Sequence, residues 1–306
     1  MIQIFYNGVE ITNKIAINHC YHDMYASGRS DTLNLRLNDV TNLWDKWAPQ
    51  KGDVIRVEYG AISTGDMFIS SVLPENGTFG IVAQAAPPSG FDLQKKSWQQ
   101  VHLLQIASEI AQRNGLSFSS YGVDDRLYPY IIQDNEGDFH LLSRLASREG
   151  CAILIYNKSL ILYDERYMEA QQPREVLNIA ADGEFKFNDR RFNLYGSCIV
   201  ENDSYSGTFS IDNGSARIYR PDNAGSIGSN AEAQRFAKNL LRSVNKGCYG
   251  GYVRSRILPG YSAGSTVELY NPRTPSWNGV VFIDHLRNDY GKGRSKIFFR
   301  MPLEGY

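Results

Sequence analysis

Gly260-Tyr261-Ser262-Ala263-Gly264 matches the G-x-S-x-G pattern that lifts a nucleophilic serine on a strained turn, and Asp284 and His285 follow in the order a hydrolase triad would need. The surroundings do not suit that chemistry. An elbow of this kind needs a strand entering and a helix leaving, whereas Thr266-Val267-Glu268-Leu269-Tyr270 alternates as a strand. Asp284 and His285 are sequence neighbours on another alternating run, which would send their side chains to opposite faces. Metal binding is the second chemistry to weigh. In His19-Cys20-Tyr21-His22, Cys20 and His22 share a strand face, but zinc takes three or four protein ligands and no second pair has ligand spacing. Asp124-Asp125 before Tyr128-Pro129 reads as turn chemistry rather than as an acid and base. His102 and His140 fall in stretches with helical spacing. The run Arg287, Lys292, Arg294, Lys296 is broken by Asp289 and reads as the solvated side of a hairpin. These residues point to no catalytic group, no metal and no cofactor.

The elements around them are mainly β. Thr32 to Asn38 alternates strictly, with Leu33, Leu35 and Leu37 on one face and Thr32, Asn34, Arg36 and Asn38 on the other, so one side meets solvent or lines a channel. Val54–Tyr59 and Met67–Val72 follow as strands bounded by turn residues. Ala86-Pro87-Pro88-Ser89-Gly90 is a linker, after which Ser97-Trp98-Gln99-Gln100 has the form of a capping box opening a helix that Asn114-Gly115 closes. A second helix is expected over 136–149. Its face is Phe139, Leu142, Leu145 and Ala146, its acidic opening (Asp134, Asn135, Glu136, Asp138) suits free N–H groups, and Gly150 stops it. Cys151–Tyr156 and Leu160–Tyr163 form a hairpin around Asn157-Lys158-Ser159. Further on, Ser229-Asn230-Ala231-Glu232 caps another helix with Ala233, Phe236, Ala237, Leu240, Leu241 and Val244 as its apolar side, before strands return at Val253, Thr266, Val280 and Lys296. The expected division is a β domain over 1–92, an α+β middle domain over 93–166, and a second β domain over 167–306 with one helix near 229–246.

A chain of 306 residues with 42% hydrophobic content is long enough for two or three such domains. Its 32 basic and 33 acidic residues give a net charge of -1, which excludes a global pull toward nucleic acid or anionic lipid. The opening M-I-Q-I-F-Y-N-G lacks a signal-peptide pattern, and no run approaches the roughly 18 apolar residues that span a bilayer. The four cysteines, Cys20, Cys151, Cys198 and Cys248, are scattered without C-x-x-C spacing and read as reduced thiols of a protein made in a cytoplasm.

The stretch Gln133 to Gly150, with Glu136, Asp138, Phe139, Leu142, Arg144, Leu145 and Gly150, resembles the helix signature of the phage late control D family, although Gly137 sits where a Ser is more usual. Members of that family are baseplate hub proteins of contractile tails, similar to the hub portion of type VI secretion spike proteins. A Trp-led helix before the acidic one, here at Trp98, belongs to the same resemblance, as does the Gly260 to Gly264 turn before a strand. The resemblance implies tail-tube-like β-barrel or sandwich domains, a homotrimer, and contacts with tail tube, central spike, tape measure and baseplate wedge proteins.

The chain also echoes itself. Gly65-Asp66-Met67-Phe68-Ile69-Ser70-Ser71-Val72 aligns without gaps on Gly279-Val280-Val281-Phe282-Ile283-Asp284-His285-Leu286, sharing Gly65/Gly279, Phe68/Phe282 and Ile69/Ile283. Gly52 and Gly264 precede a strand in each copy, and Gly77, Ile81 and Pro87 parallel Gly293, Ile297 and Pro302. Recurrent hairpin chemistry is the competing account. Two β copies in each of three chains would make six units, the arithmetic of a hub between a sixfold tube and a threefold spike. The competing functions are a baseplate-associated cell-wall hydrolase and a carbohydrate-binding β module. We expect a folded Ser262→Ala variant to lose no activity on ester, peptide or cell-wall substrates; loss of a demonstrated hydrolysis would make Ser262 a nucleophile.

Overall fold

The computed structural model describes residues 2–179, 183–222 and 225–306. Alternation builds the first sheet: β1 (Ile2–Tyr6), β2 (Val9–Glu10), β3 (Ala16–Tyr25), β4 (Thr32–Asn38), the short helix α1 (Leu43–Trp47), β5 (Val54–Tyr59), β6 (Ile62–Ser63), β7 (Met67–Glu75) and β8 (Thr78–Gln84). In β4, Leu33, Leu35 and Leu37 are buried while Thr32, Asn34 and Arg36 are half-exposed and Asn38 exposed, the period of two that a one-sided strand requires. α1 closes one end of this layer, with Trp44 buried and stacked 5.4 Å from Phe79.

The middle of the chain gives β9 (Gln94–His102), α2 (Leu103–Arg113), β10 (Ser117–Tyr121), β11 (Leu127–Glu136), α3 (Asp138–Arg148), β12 (Cys151–Tyr156), β13 (Ser159–Asp164) and α4 (Glu165–Glu169). One expectation fails here. Ser97 to Gln100 lies inside β9, paired with β11 so that Trp98 faces Ile131, and the helix starts only at Leu103. The capping-box pattern is local, and an available strand partner overrode it. His102 is therefore the last residue of a strand, and Asp125 provides the cap, its Oδ1 accepting from Leu104 N at 3.0 Å. The turn between β12 and β13 has positive φ at Asn157 and Lys158, the type I′ geometry of a tight hairpin.

α3 falls where its apolar spacing places it, but its acidic residues do not cap it. Gly137 is the N-cap and has no side chain with which to cap the first turn. Asp138 is buried, accepting from Arg113, from Asn114 Nδ2 at 2.8 Å and from Gln133 Nε2 at 2.9 Å, and Glu136 pairs with Arg144. Gly137 has a steric reason: a Cβ there would lie 2.9 Å from the Gly90 carbonyl oxygen and 3.0 Å from Phe91 Cα. Gly90 in turn lies under Phe139, whose ring atom Cε2 would be 1.9 Å from an added Cβ.

The remainder comprises β14 (Val176–Asn178), β15 (Phe185–Asp189), β16 (Ser197–Glu201), β17 (Ser206–Ser210), β18 (Ile218–Tyr219), α5 (Asn230–Asn245), β19 (Tyr249–Arg256), β20 (Thr266–Tyr270), β21 (Gly279–Asp289) and β22 (Arg294–Arg300). Ser229 Oγ accepts from Glu232 N at 3.2 Å and Glu232 Oε2 from Gly228 N at 2.5 Å, which caps α5 as its sequence suggests. α5 and the small sheet β17-β16-β18 contribute Phe236, Leu241, Cys198 and Val200 to the core shared by the first sheet and α3, whereas Leu177, Val253, Val267, Ile283 and Phe299 form a separate core. Phe139 is 5% exposed, so Phe139→Ala should cost about 3–5 kcal/mol of unfolding free energy in urea titration. An unchanged midpoint would mean that α3 does not organise the middle of the chain.

Candidate assembly interface

Among the described residues, fourteen strands form one sheet in the order β15-β19-β22-β21-β3-β4-β8-β7-β5-β1-β2, with β6 on β5, β20 on β21 and β14 on β20. Its centre is an antiparallel joint between β3 and the second half of β21, pairing Tyr25 with His285, Asp23 with Arg287 and Tyr21 with Asp289. The first half of β21 pairs instead with β20. A bulge between Ile283 and His285 lets one strand change partners midway.

Charge locks this joint. Asp23, 1% exposed, accepts from His285 Nε2 at 2.6 Å and from Arg287 Nε at 2.7 Å. Burial alone would raise the Asp23 carboxyl, but these donors outweigh it and hold it below the usual carboxylate range. His285 is sandwiched between Tyr25 and Phe298 at centroid distances of 4.5 and 4.6 Å. Below the sheet, Glu165 and Glu169 of α4 meet Arg242 of α5, Lys246 at its C-terminal cap and Arg300 of β22, with Arg242 at 2.5 Å from Glu169 and Lys246 at 2.5 Å from Glu165. Burial raises the Glu165 carboxyl, and the surrounding Lys246, Arg300 and Arg242 bring it below its ordinary value. This cluster clamps the middle of the chain onto the last strands.

The residues singled out from sequence occupy different parts of this frame. Phe139, Leu142 and Leu145 are core residues of α3, and Gly150, at φ +73°, gives Asn239 of α5 room to bond Arg148 O at 2.8 Å. Gly65, also with positive φ, receives the β12–β13 turn, an added Cβ standing 3.0 Å from Asn157. Ile69, Phe282 and Ile283 are buried and Phe68 half-buried, whereas Gly279 lies at the start of β21. Thr32, Asn34, Arg36 and Asn38 share one face of β4, where Arg36 reaches Thr78 and Glu75. Asp284 is bound to Arg300 at 2.8 Å and His285 to Asp23, so both are engaged away from Ser262. Cys20 and His22 are buried in β3, with His22 Nδ1 3.1 Å from Tyr290 Oη. Arg287 is exposed, as its run suggests, and at the same time anchors the joint through Asp23. Asp23, Glu165, Glu169, Arg242 and Arg300 were missed; the available signal was a charge at an apolar position of a strand or helix pattern, which does not reveal its partner.

Two runs of strands have the same layout. Leaving out the short β2 and β6, the spatial order β3-β4-β8-β7-β5-β1 and the order β15-β19-β22-β21-β20-β14 both place the second, third, sixth, fifth, fourth and first strands side by side. Gly52 N donates to Ile69 O at 2.8 Å and Ile69 N to Asp53 O at 2.8 Å; Gly264 N donates to Ile283 O and Ile283 N to Ser265 O, each at 2.9 Å. The bulge between Ile69 and Ser71 in β7 matches that between Ile283 and His285 in β21. The runs differ at one border: β1 is antiparallel to β5, whereas β14 is parallel to β20.

Near the joint, Asp31 is 3% exposed and accepts from Tyr25 N at 2.8 Å; burial, reinforced by Asp23, pushes its carboxyl up from 3.8 to about 7. A carboxyl raised on folding contributes stability that is complete below its unfolded value and is lost as pH rises through its folded value. His22, lowered by burial to about 4, acts in the opposite sense between pH 4 and 6.5. Asp31→Asn holds the uncharged state at every pH, so relative to the parent it should gain on the order of 4 kcal/mol at pH 8 and less than half of that at pH 5. Urea unfolding of both proteins at the two pH values checks this; a gain independent of pH would show that Asp31 does not titrate in this window.

No family model matches the chain, and no curated protein matches it in sequence. Solved structures do. The 43 kDa tail protein of prophage MuSo2 from Shewanella oneidensis superposes with a TM-score of 0.76 at 12% identity, over 98% of each chain. A tail protein from Neisseria meningitidis MC58 gives 0.75 at 11% identity, over 98% of this chain and 95% of that one. The E. coli c3393 protein, described as a type VI secretion component with structural similarity to the T4 bacteriophage tail proteins gp27 and gp5, gives 0.65 at 10% identity, over 99% of this chain and 78% of its own. At such identities the likeness is one of fold: the chain has the mainly β, α+β fold of these prophage tail and type VI secretion proteins.

Proposed function

We propose that the chain is a structural protein of a phage tail or phage-tail-like particle, the baseplate hub of a contractile machine rather than an enzyme. In this reading, 1–92 and 167–306 are two copies of one tube-like β domain and 93–166 is the α+β domain between them. Three copies form a ring of six β domains that adapts a sixfold tail tube to a threefold central spike. The observation that supports this best is the shared strand order of the two runs, together with the same hydrogen bonds at Gly52 and Gly264 and the same bulge after Ile69 and Ile283. Convergent hairpins would share turn residues, but not a six-strand order with a bulge at one register.

The joint between β3 and β21 supplies the mechanism. Backbone pairing joins one β domain to the next, and a head-to-tail joint repeated around an axis closes into a ring. Thr32, Asn34, Arg36 and Asn38, on the polar face of β4, would line the inner wall, where hydrated side chains let cargo slide past. The tube and spike proteins are the main partners, with tape measure and wedge proteins at the periphery, all assembled in a bacterial cytoplasm.

Cryo-electron microscopy of the particle that carries the protein tests the reading. The expected result is three copies in one ring beneath the tube, with the two β domains superposable. One copy, six copies, or a position on the outer surface of the tail would overturn it.

A further inference from the structure

Within the chain, the second half of β21 is covered by β3. The corresponding half of β7, Ser71–Glu75, is exposed along its whole length, and among the described residues no strand pairs with its outer edge. Val72, the counterpart of Leu286, is 37% exposed where Leu286 is 1% exposed, and Leu73 is 51% exposed. At the far end of the sheet, β15 corresponds to β3 and, among the described residues, pairs only with β19. Each chain therefore carries one half-strand without a neighbour and one edge strand of the kind that covers its equivalent.

We propose that β15 of one copy of this chain pairs antiparallel with Ser71–Glu75 of β7 in the next copy, reproducing between chains the joint that β3 and β21 make within one. The proposal rests on the reading that copies assemble side by side, and it goes further by naming the strands and their register. The register follows from the ladders. β4 pairs with β8 as β19 pairs with β22, so Thr32 corresponds to Gly250 and Leu35 to Val253. Cys20 faces Leu35 and Phe185 faces Val253, which sets Cys20 against Phe185, Tyr21 against Lys186 and Asp23 against Asn188. Transferring the β3–β21 pairs then puts Lys186 opposite Glu75, Phe187 opposite Pro74, Asn188 opposite Leu73 and Asp189 opposite Val72 of the neighbour.

The chemistry fits that register. Lys186 and Glu75 are opposite charges across the strands; both are exposed in a single chain, where Glu75 also pairs with Arg36 of β4. Asp189 already holds its own partner, Arg191, at 2.7 Å. Pro74 stands where Asn288 stands and has no N–H, so this edge offers one donor fewer than β21 does. Such an edge pairs weakly alone and is held when ring closure adds two more joints, which protects the free chain from open-ended association.

Tyr290 N donates to Cys20 O at 3.0 Å and Ala26 N to Asp284 O at 2.8 Å, so Asp23 and Arg287 form a non-hydrogen-bonded pair. Their counterparts Asn188 and Leu73 would have Cα atoms about 4.5 Å apart, close enough for a disulfide. The test introduces Leu73→Cys with Asn188→Cys, and separately Glu75→Cys with Lys186→Cys, into the full chain of assembled tail particles. Single-cysteine variants and the face-mismatched pair Leu73→Cys with Phe187→Cys are the controls, and thermal unfolding of each reduced protein confirms its fold. After mild oxidation, covalent trimers on non-reducing gels are expected for at least one of the two in-register pairs and for none of the controls. Three copies in the particle with no crosslink from either in-register pair would overturn the proposal and leave the ring reading intact. A single copy in the particle would overturn both.

Discussion

Everything in this molecule depends on one long-range strand pairing, that of β3 with the second half of β21. It joins residues as far apart in sequence as Asp23 and His285 and turns two short sheets into one. An edge strand carries unpaired N–H and C=O groups that must find partners or water. The bulge at Asp284 solves this locally, because an inserted residue bends β21 away from β20 at the point where β3 becomes its neighbour. The buried carboxylate of Asp23 then makes the joint selective, since only a strand bringing donors such as His285 and Arg287 compensates it.

The middle of the chain serves this joint from below. Arg242 of α5, Lys246 just after it and Arg300 of β22 surround Glu165 and Glu169 of α4, and all three lie more than seventy residues along the chain from the glutamates. Buried pairs of this kind add little net stability over an apolar core, but removal of one member leaves an uncompensated charge. Their value is in geometry. Tyr163 Oη donating to Ala26 O and Lys246 reaching Ser27 at 3.2 Å hold the end of β3 in place against the middle sheet.

Local patterns made much of this legible. Strict alternation in Thr32–Asn38 and in Thr266–Tyr270, the Asn157-Lys158 turn and the Ser229-Glu232 cap each describe a short-range preference that the fold keeps. Ser97 to Gln100 did not survive, since a four-residue cap signal is weaker than the ladder offered by β11. Asp138 was read as a cap because its position suits one; its partners Arg113, Asn114 and Gln133 come from elements that only tertiary contact brings near. The echo between Gly65–Val72 and Gly279–Leu286 was visible in sequence, but not the joint that follows from it, because strand spacing carries no information about which edge meets which.

That joint also orders the birth of the protein. β3 is synthesised well before the strand that covers it, since His285 lies 262 residues beyond Asp23. At synthesis rates of roughly 5–20 residues per second, β3 waits on the order of 13–50 s for the strand that covers it. A strand laid against β3 before β21 exists would have to cover the Asp23 carboxylate without the donors that His285 and Arg287 supply. The same aspartate that is satisfied by His285 and Arg287 makes any strand without such donors a costly neighbour for β3.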